Sequence, residues 1–169
     1  MLDIWMHRLG LSSALPECSV VRVEGIDLEP EIRRRMRLWY LQLLDTAPAH
    51  LLPVDESSRS SVTVTAEGLF HRVGLPANTR RVLSVKAQGW LKAVEPVSSQ
   101  QAIDTLRRMP SPYARPGVNS PLAIMADGAL YITPVKLPSL DVLRLILDPG
   151  PDTYVLDESL LSSIPTSLS

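Results

Sequence analysis

The 169 residues are nearly neutral, with 17 basic side chains against 18 acidic ones, and 45% of them are hydrophobic. This length fits one domain with helical or extended appendages, and the apolar share excludes wholesale disorder. The charge balance gives no overall pull toward nucleic acid or anionic lipid, so any such contact needs a local patch.

Cys18 is the single cysteine. It leaves no partner for an internal disulfide and no cysteine pair for a metal, and the simplest expectation is a reducing place of folding. Asp3, His7 and Arg8 interrupt the apolar N-terminus, which therefore does not read as a signal peptide, and no stretch reaches the length of a membrane span. The expectation is a protein that is soluble when made. Fifteen prolines are dispersed along the chain, against an average usage of about 5%. Dispersed prolines cut a chain into short extended pieces and turns, as an all-β or α+β architecture requires.

Leu2 to Leu9 reads as a short helix with Trp5 and Leu9 on one side and Gly10 as its C-cap. The next segment is ambiguous: Val20, Val21 and Val23 fit a short strand or an extended connector. The strongest helix follows. Pro30 suits a first helical position, and Asp27, Glu29 and Glu31 lie at the positive end of the helix dipole. Ile32, Met36, Trp39, Tyr40 and Leu43 recur at three- and four-residue spacing, which predicts a buried stripe. Ala47-Pro48 ends this helix.

From Leu51 the period changes. LLPVDESSRSS reads as a polar loop, VTVTAEG as a strand with period two, and LFHRVGLP as a second short strand. VLSVKAQGWLKAVEP predicts a hairpin that turns at Gln88-Gly89. Ser98, with Gln101 three residues on as a capping box, predicts a helix over 98–108 whose core contacts are Ile103 and Leu106. The proline-rich loop MPSPYARPGVNSP leads to PLAIMADGALYITP, in which Asp127-Gly128 is the pair preferred by a two-residue turn with positive φ. Leu140 to Leu147 is the last strand, and DPGPD stops it. The tail TYVLDESLLSSIPTSLS reads as extended or briefly helical.

This order predicts an α+β fold: a helical segment over 1–50, an antiparallel β-sandwich or barrel-like domain over 51–156 with one inserted helix, and an extended C-terminal tail over 157–169. No internal repeat of solenoid length is visible.

No stretch carries recognisable catalytic chemistry. His7, His50 and His71 are far apart and form no metal-ligand spacing. Cys18 beside Glu17 reads as a small buried hydrophobe rather than a nucleophile. There is no nucleophile elbow, phosphate loop or dinucleotide fingerprint, and the pairs Asp55-Glu56 and Asp157-Glu158 are not placed as acid and base. The expectation is a protein that is not an enzyme, with no catalytic residues, no cofactor and no metal.

The charge feature above background is RRRMR. Arg33, Arg34, Arg35 and Arg37 form either a solvated helix face, partly neutralised by Glu29 and Glu31, or a contact surface for an acidic partner or a phosphate backbone. Trp39-Tyr40 belongs to the core stripe. Trp90, beside the Gln-Gly turn, is either an intersubunit contact or a cross-strand packing residue. Leu160 and Leu161 in the tail complete the candidate partner contacts.

From Glu31 to Pro165 the chain resembles the head–tail connector, or neck adaptor, proteins of tailed bacteriophages. The resemblance lies in a helix ending in a leucine-proline step (MRLWYLQLLDTAPAHLLP), the strand pair VTVTAEGLFHRVGLP, and ANTRRVLSVKAQGWLKAVEPVS followed by SSQQAIDTLRR. It continues through the Pro-Tyr loop MPSPYARPG, the hairpin PLAIMADGALYITP and the final strand LDVLRLILD. The segment before Asp27 has no counterpart in that pattern. The resemblance implies a virion structural protein at the head–tail junction, made in the bacterial host cytoplasm. It further implies a homo-oligomeric ring, usually dodecameric, that binds the portal protein and a downstream tail or neck protein. Double-stranded DNA would pass through its channel without sequence-specific binding, and no membrane is involved. A second reading is a non-catalytic ligand- or receptor-binding β-sandwich module. That reading requires Trp90, Tyr113 and Tyr131 to share one exposed face.

Overall fold

The computed structural model describes residues 1–9, 29–98 and 115–165. Among these, the fold is α+β, with helices first and strands after them. The chain divides into two compact units, one formed by Met1–Pro53 with Asp148–Ser169 and the other by Val54–Leu147.

The first unit contains helix α1 (Leu2–Arg8) and helix α2 (Glu29–Thr46). The predicted stripe on α2 is real: Ile32, Met36, Trp39, Tyr40 and Leu43 are all buried, and Leu44 is buried with them. Trp5 of α1 meets Trp39 edge to face, with ring centroids 5.6 Å apart and planes at 78°, an arrangement that sets a positive ring edge against a negative face. Helix α2 ends before Pro48, and a short 3₁₀ helix (Ala49–Leu51) follows.

The C-terminal stretch completes this unit as a strap along α2. Arg37 donates to the Asp148 carboxylate and, at 2.8 Å, to the Gly150 carbonyl. Tyr40 bonds the backbone of Val155 and meets Tyr154 edge to face at 5.1 Å. The Asp157 N–H donates to the Leu51 carbonyl at 3.1 Å. The strap ends in a 3₁₀ helix (Glu158–Ser163) capped by the Asp157 side chain, which accepts from the Ser159 N–H at 2.9 Å, and in buried Ile164. The boundaries 51–156 and 157–169 expected from sequence are therefore corrected. DPGPD ends the last strand, and the residues after it carry polar groups that pair with α2 rather than with a sheet.

The second unit is a sandwich of two sheets. The larger has the order β1 (Val64–Glu67), β2 (Phe70–Val73), β6 (Ala129–Thr133), β5 (Leu122–Ala126), β4 (Val97–Ser98); the smaller pairs β3 (Thr79–Ala87) with β7 (Leu140–Leu147). All pairings are antiparallel except β4 with β5, which is parallel. Val82, Val85, Ala87, Leu143 and Leu145 of the small sheet pack with Val73, Ala123, Leu130 and Ile132 of the large one. Inward residues of two sheets thus form one apolar layer, which is what removes both faces from water.

Turn chemistry explains both hairpins. Asp127 and Gly128 have φ of 50° and 72°, and Ala126 pairs with Ala129 across them, as a type I′ turn requires. The β1–β2 turn places Gly68, φ 62°, at its first central position, the glycine position of a type II′ turn. Ahead of β1, Asp55 pairs with Leu145 through two backbone bonds of 2.9 Å. Its carboxylate accepts from Ser57 and Ser58 and so opens the 3₁₀ helix Ser57–Ser60. These hydrogen bonds hold the Asp55 carboxyl below its usual range, because they favour the ionised form.

One expected hairpin is corrected. The chain does turn at Gln88-Gly89, but the returning arm forms no strand with β3 and pairs with it through a single bridge, Val94 opposite Val85. The partner of β3 is β7, whose apolar run offers a longer ladder than a segment interrupted by Pro96, which has no N–H to donate. Ser98, expected to open a helix, ends strand β4. The remainder of that helix over 99–108 lies outside the described residues. So do the Gly10 cap, the Val20–Val23 segment, Cys18, and Tyr113 with most of the Pro-Tyr loop.

Candidate partner-contact surfaces

Three of the four arginines of α2 are held by carboxylates one helical turn away. Arg33 bonds Glu29 at 2.6 and 2.8 Å. Arg34 and Arg35 both bond Glu31 at 2.8 Å. Donation from Arg34, then Arg35, pulls the Glu31 carboxyl down to about 2. The same pairing raises Arg34 above its ordinary value, and donation to Glu29 does so for Arg33. Arg37 differs from these three: it faces the strap, and its bond to Asp148 raises its pKa. The four arginines are therefore divided between a charge-paired surface and a structural tie. Glu29 and Glu31 at i−3 and i−4 already carry the signal for that pairing.

Trp90 is corrected as a surface candidate. It is 3% exposed, belongs to the inter-sheet core, and its Nε1 donates to the Pro134 carbonyl at 2.6 Å. The reason is the turn itself, which folds the indole back under the loop leading to β7. Leu160 and Leu161 are half-buried on the terminal 3₁₀ helix, and the fully buried anchor is Ile164. His7 and His50 are exposed in the helical unit, and His71 is half-buried on β2. Among the described residues, no group of three or more His, Cys, Asp or Glu side chains is arranged to hold a metal ion. No described helix is long and apolar enough to cross a membrane.

A cleft of about 470 Å³ opens in the β unit between Arg59, Ser60, Val62 and Val64 on one side and Pro138–Asp141 on the other. The Arg59 guanidinium is engaged there by the Asp141 carbonyl at 2.6 Å, and Lys86 lies 3.6 Å from the Asp141 carboxylate. These cations are already paired within the protein, so the cleft does not present a vacant anion site.

The sequence reading missed the exposed apolar residues of the β unit: Leu69, Leu91 and Leu137 are 77%, 72% and 52% exposed. Each stands beside a turn residue (Gly68-Leu69, Gly89-Trp90-Leu91, Leu137-Pro138), and that adjacency is the one signal that could have found them. No protein-family model matches the chain, and no curated protein matches it.

Proposed function

We propose that the chain is a virion structural protein, a head–tail connector subunit that assembles as a ring on the portal of a tailed bacteriophage and extends the DNA channel toward the tail. The order of elements supports this reading. Helix α2, the hairpin β1–β2, strand β3, the Asp-Gly hairpin β5–β6 and strand β7 follow one another in the sequence that carries the resemblance to connectors. The chain acts by assembly, with partners in the portal protein, a downstream tail protein and copies of itself, and duplex DNA passes without sequence-specific contacts. Exposed apolar side chains on both units supply contact area for such partners.

The experiment is purification of intact particles, detection of this chain in them by mass spectrometry, and imaging of the neck. A ring of density at the portal that disappears on deletion of the gene is the expected result. Absence of the chain from purified particles overturns the reading. The rival ligand-binding module loses its groove, because Trp90 packs between the sheets whereas Tyr131 packs on the opposite face of the large sheet with Leu122 and Ile124.

A further inference from the structure

The near-zero net charge hides a separation. Among the described residues, the helical unit carries eight carboxylates against five arginines, and the β unit carries nine arginines and lysines against six carboxylates. The two units are of opposite sign.

On the β unit, the exposed apolar side chains gather at one end. Strand β2 begins where β6 ends, and Thr133 Oγ1 donates to the Leu69 carbonyl at 3.0 Å. Strand β3 ends where β7 begins, with the Gln88 N–H donating to the Ser139 carbonyl at 3.0 Å. The Trp90–Pro134 bond ties the loop after β3 to the loop after β6. Leu69, Leu91 and Leu137 therefore project from three neighbouring loops, and they are all of the exposed large apolar side chains among the described residues of this unit. Lys92 and Lys136 stand beside two of them in the chain, exposed and without an ion pair among the described residues.

On the helical unit, the strap from Asp148 to Pro165 has four carboxylates and no basic residue. Asp148 is tied to Arg37, while Asp152, Asp157 and Glu158 are exposed around Val155, itself 47% exposed. The first surface is thus apolar, with Lys92 and Lys136 against Glu67 around it, and the second sets the half-exposed Val155 among three carboxylates, of which Asp152 lies in the field of Arg33. Complementary rims exclude wrong partners and steer association, while the apolar centres supply the burial.

We propose that the Leu69–Leu91–Leu137 end of the β unit docks on the acidic strap of a second copy of this chain. The contact joins two different surfaces and is therefore heterologous, so repetition closes a ring or propagates a filament. It rests on the oligomeric part of the connector reading and names the surfaces that reading needs.

The test uses the full chain in analytical ultracentrifugation across a concentration series, at low and high salt. Wild type is expected to associate more with concentration and less with salt, since exposed charges are screened beyond about 8 Å at physiological ionic strength. Two charge-reversed chains are made, Lys92→Glu with Lys136→Glu, and Asp152→Lys with Glu158→Lys; Asp157 is spared because it caps the last 3₁₀ helix. Each alone should lose association by about tenfold or more. An equimolar mixture should recover it, because every interface in an alternating assembly then pairs opposite signs. Circular dichroism and thermal unfolding confirm that both chains fold. A wild type that stays monomeric throughout the series overturns the proposal, as does association untouched by either reversal, or weakening that mixing does not repair. Binding of a monomeric wild type to phosphatidylserine vesicles would assign the basic end to lipid instead and also overturns it. Association that survives both reversals removes this contact and leaves the connector reading standing, whereas absence from purified particles removes the connector reading whatever the centrifuge shows.

Discussion

The phenol of Tyr40 closes a two-way bond with the backbone of Val155, donating to its carbonyl at 3.0 Å and accepting its N–H at 3.1 Å. One hydroxyl thereby satisfies both polar groups of a residue in a segment that is neither helix nor sheet, where no ladder would otherwise do so. Tyr40→Phe keeps the ring and removes both bonds. The expected loss is about 1–2 kcal/mol, read from urea unfolding, and a loss below a few tenths would mean that water substitutes fully. Burial, the largest influence, raises the Tyr40 pKa above 10.0. The folded state thus favours the neutral phenol. The resulting stabilisation is complete below pH 10 and is lost as pH rises through the raised value, and Tyr40→Phe should lack that alkaline decline.

Arg37 holds the beginning of the same strap, through the Asp148 carboxylate and the Gly150 carbonyl. Both side chains of the ion pair are about four-fifths shielded, at 21% and 19% exposure, so screening is weaker than at the surface. Arg37→Ala is expected to cost about 2 kcal/mol. Arg37→Lys should rescue little, because a single ammonium cannot reproduce the planar fork. A double-mutant cycle with Asp148→Ala should show a coupling of about 1 kcal/mol or more. Strict additivity would show that the pair does not act as a unit.

Trp90 tests the sandwich. Trp90→Ala opens a cavity between the sheets and is expected to cost about 3–5 kcal/mol. Trp90→Phe retains most of the apolar volume but leaves the Pro134 carbonyl without its donor, at about 1–2 kcal/mol. Chemical denaturation of the two variants checks this order: equal losses would show that the ring volume kept by phenylalanine contributes nothing, and a Trp90→Phe chain as stable as wild type would show that the N–H contributes nothing.

Periodicity made the helices legible. Ile32, Met36, Trp39 and Leu43 mark a stripe that only a helix can bury, and the α2 boundaries follow from acidic residues at one end and Pro48 at the other. The strands around the two glycine turns were equally legible, because Gly68 and Asp127-Gly128 fix a reversal locally. Strand partners were not. The Gln88-Gly89 turn suggests a local hairpin, yet β3 pairs with β7 across more than fifty residues, and nothing in either strand states that choice. The strap was hidden for the same reason, since the hydroxyl of Tyr40 and the guanidinium of Arg37 meet backbone groups more than a hundred residues away. At the candidate surface, the arginine run and its neutralisation by Glu29 and Glu31 were visible, but the diversion of Arg37 to Asp148, more than a hundred residues on, was not. The exposed leucines carry no periodic signal, and only their place beside turn residues marks them.

The Asp127-Gly128 turn carries a conformational constraint that one substitution exposes. Gly128 has φ of 72° and open space where a Cβ would sit. Gly128→Ala therefore tests backbone strain without a steric clash, and about 1–2 kcal/mol is expected. Asp127→Gly, at φ 50°, should be close to neutral, since relief of strain offsets the added freedom of the unfolded chain. Thermal unfolding distinguishes them, and equal effects would argue against the turn type.

Glu31 gives the acid-side counterpart. Two guanidinium donors hold its carboxyl near about 2, against an ordinary 4.5. A folded value below the unfolded one means that the stabilisation is present above pH 4.5 and lost as pH falls through 2. NMR titration of the Glu31 side-chain carboxyl should show a midpoint near 2 in wild type. In a chain carrying Arg34→Ala and Arg35→Ala the midpoint should move up toward 4.5, with helix α2 intact by circular dichroism. Because the carboxylate is exposed, the salt dependence of that midpoint is also diagnostic: added salt should raise it by screening the arginines. An unmoved midpoint in the double variant would mean that the pairing on α2 does not persist in solution, and that Arg34 and Arg35 are then free to meet a partner.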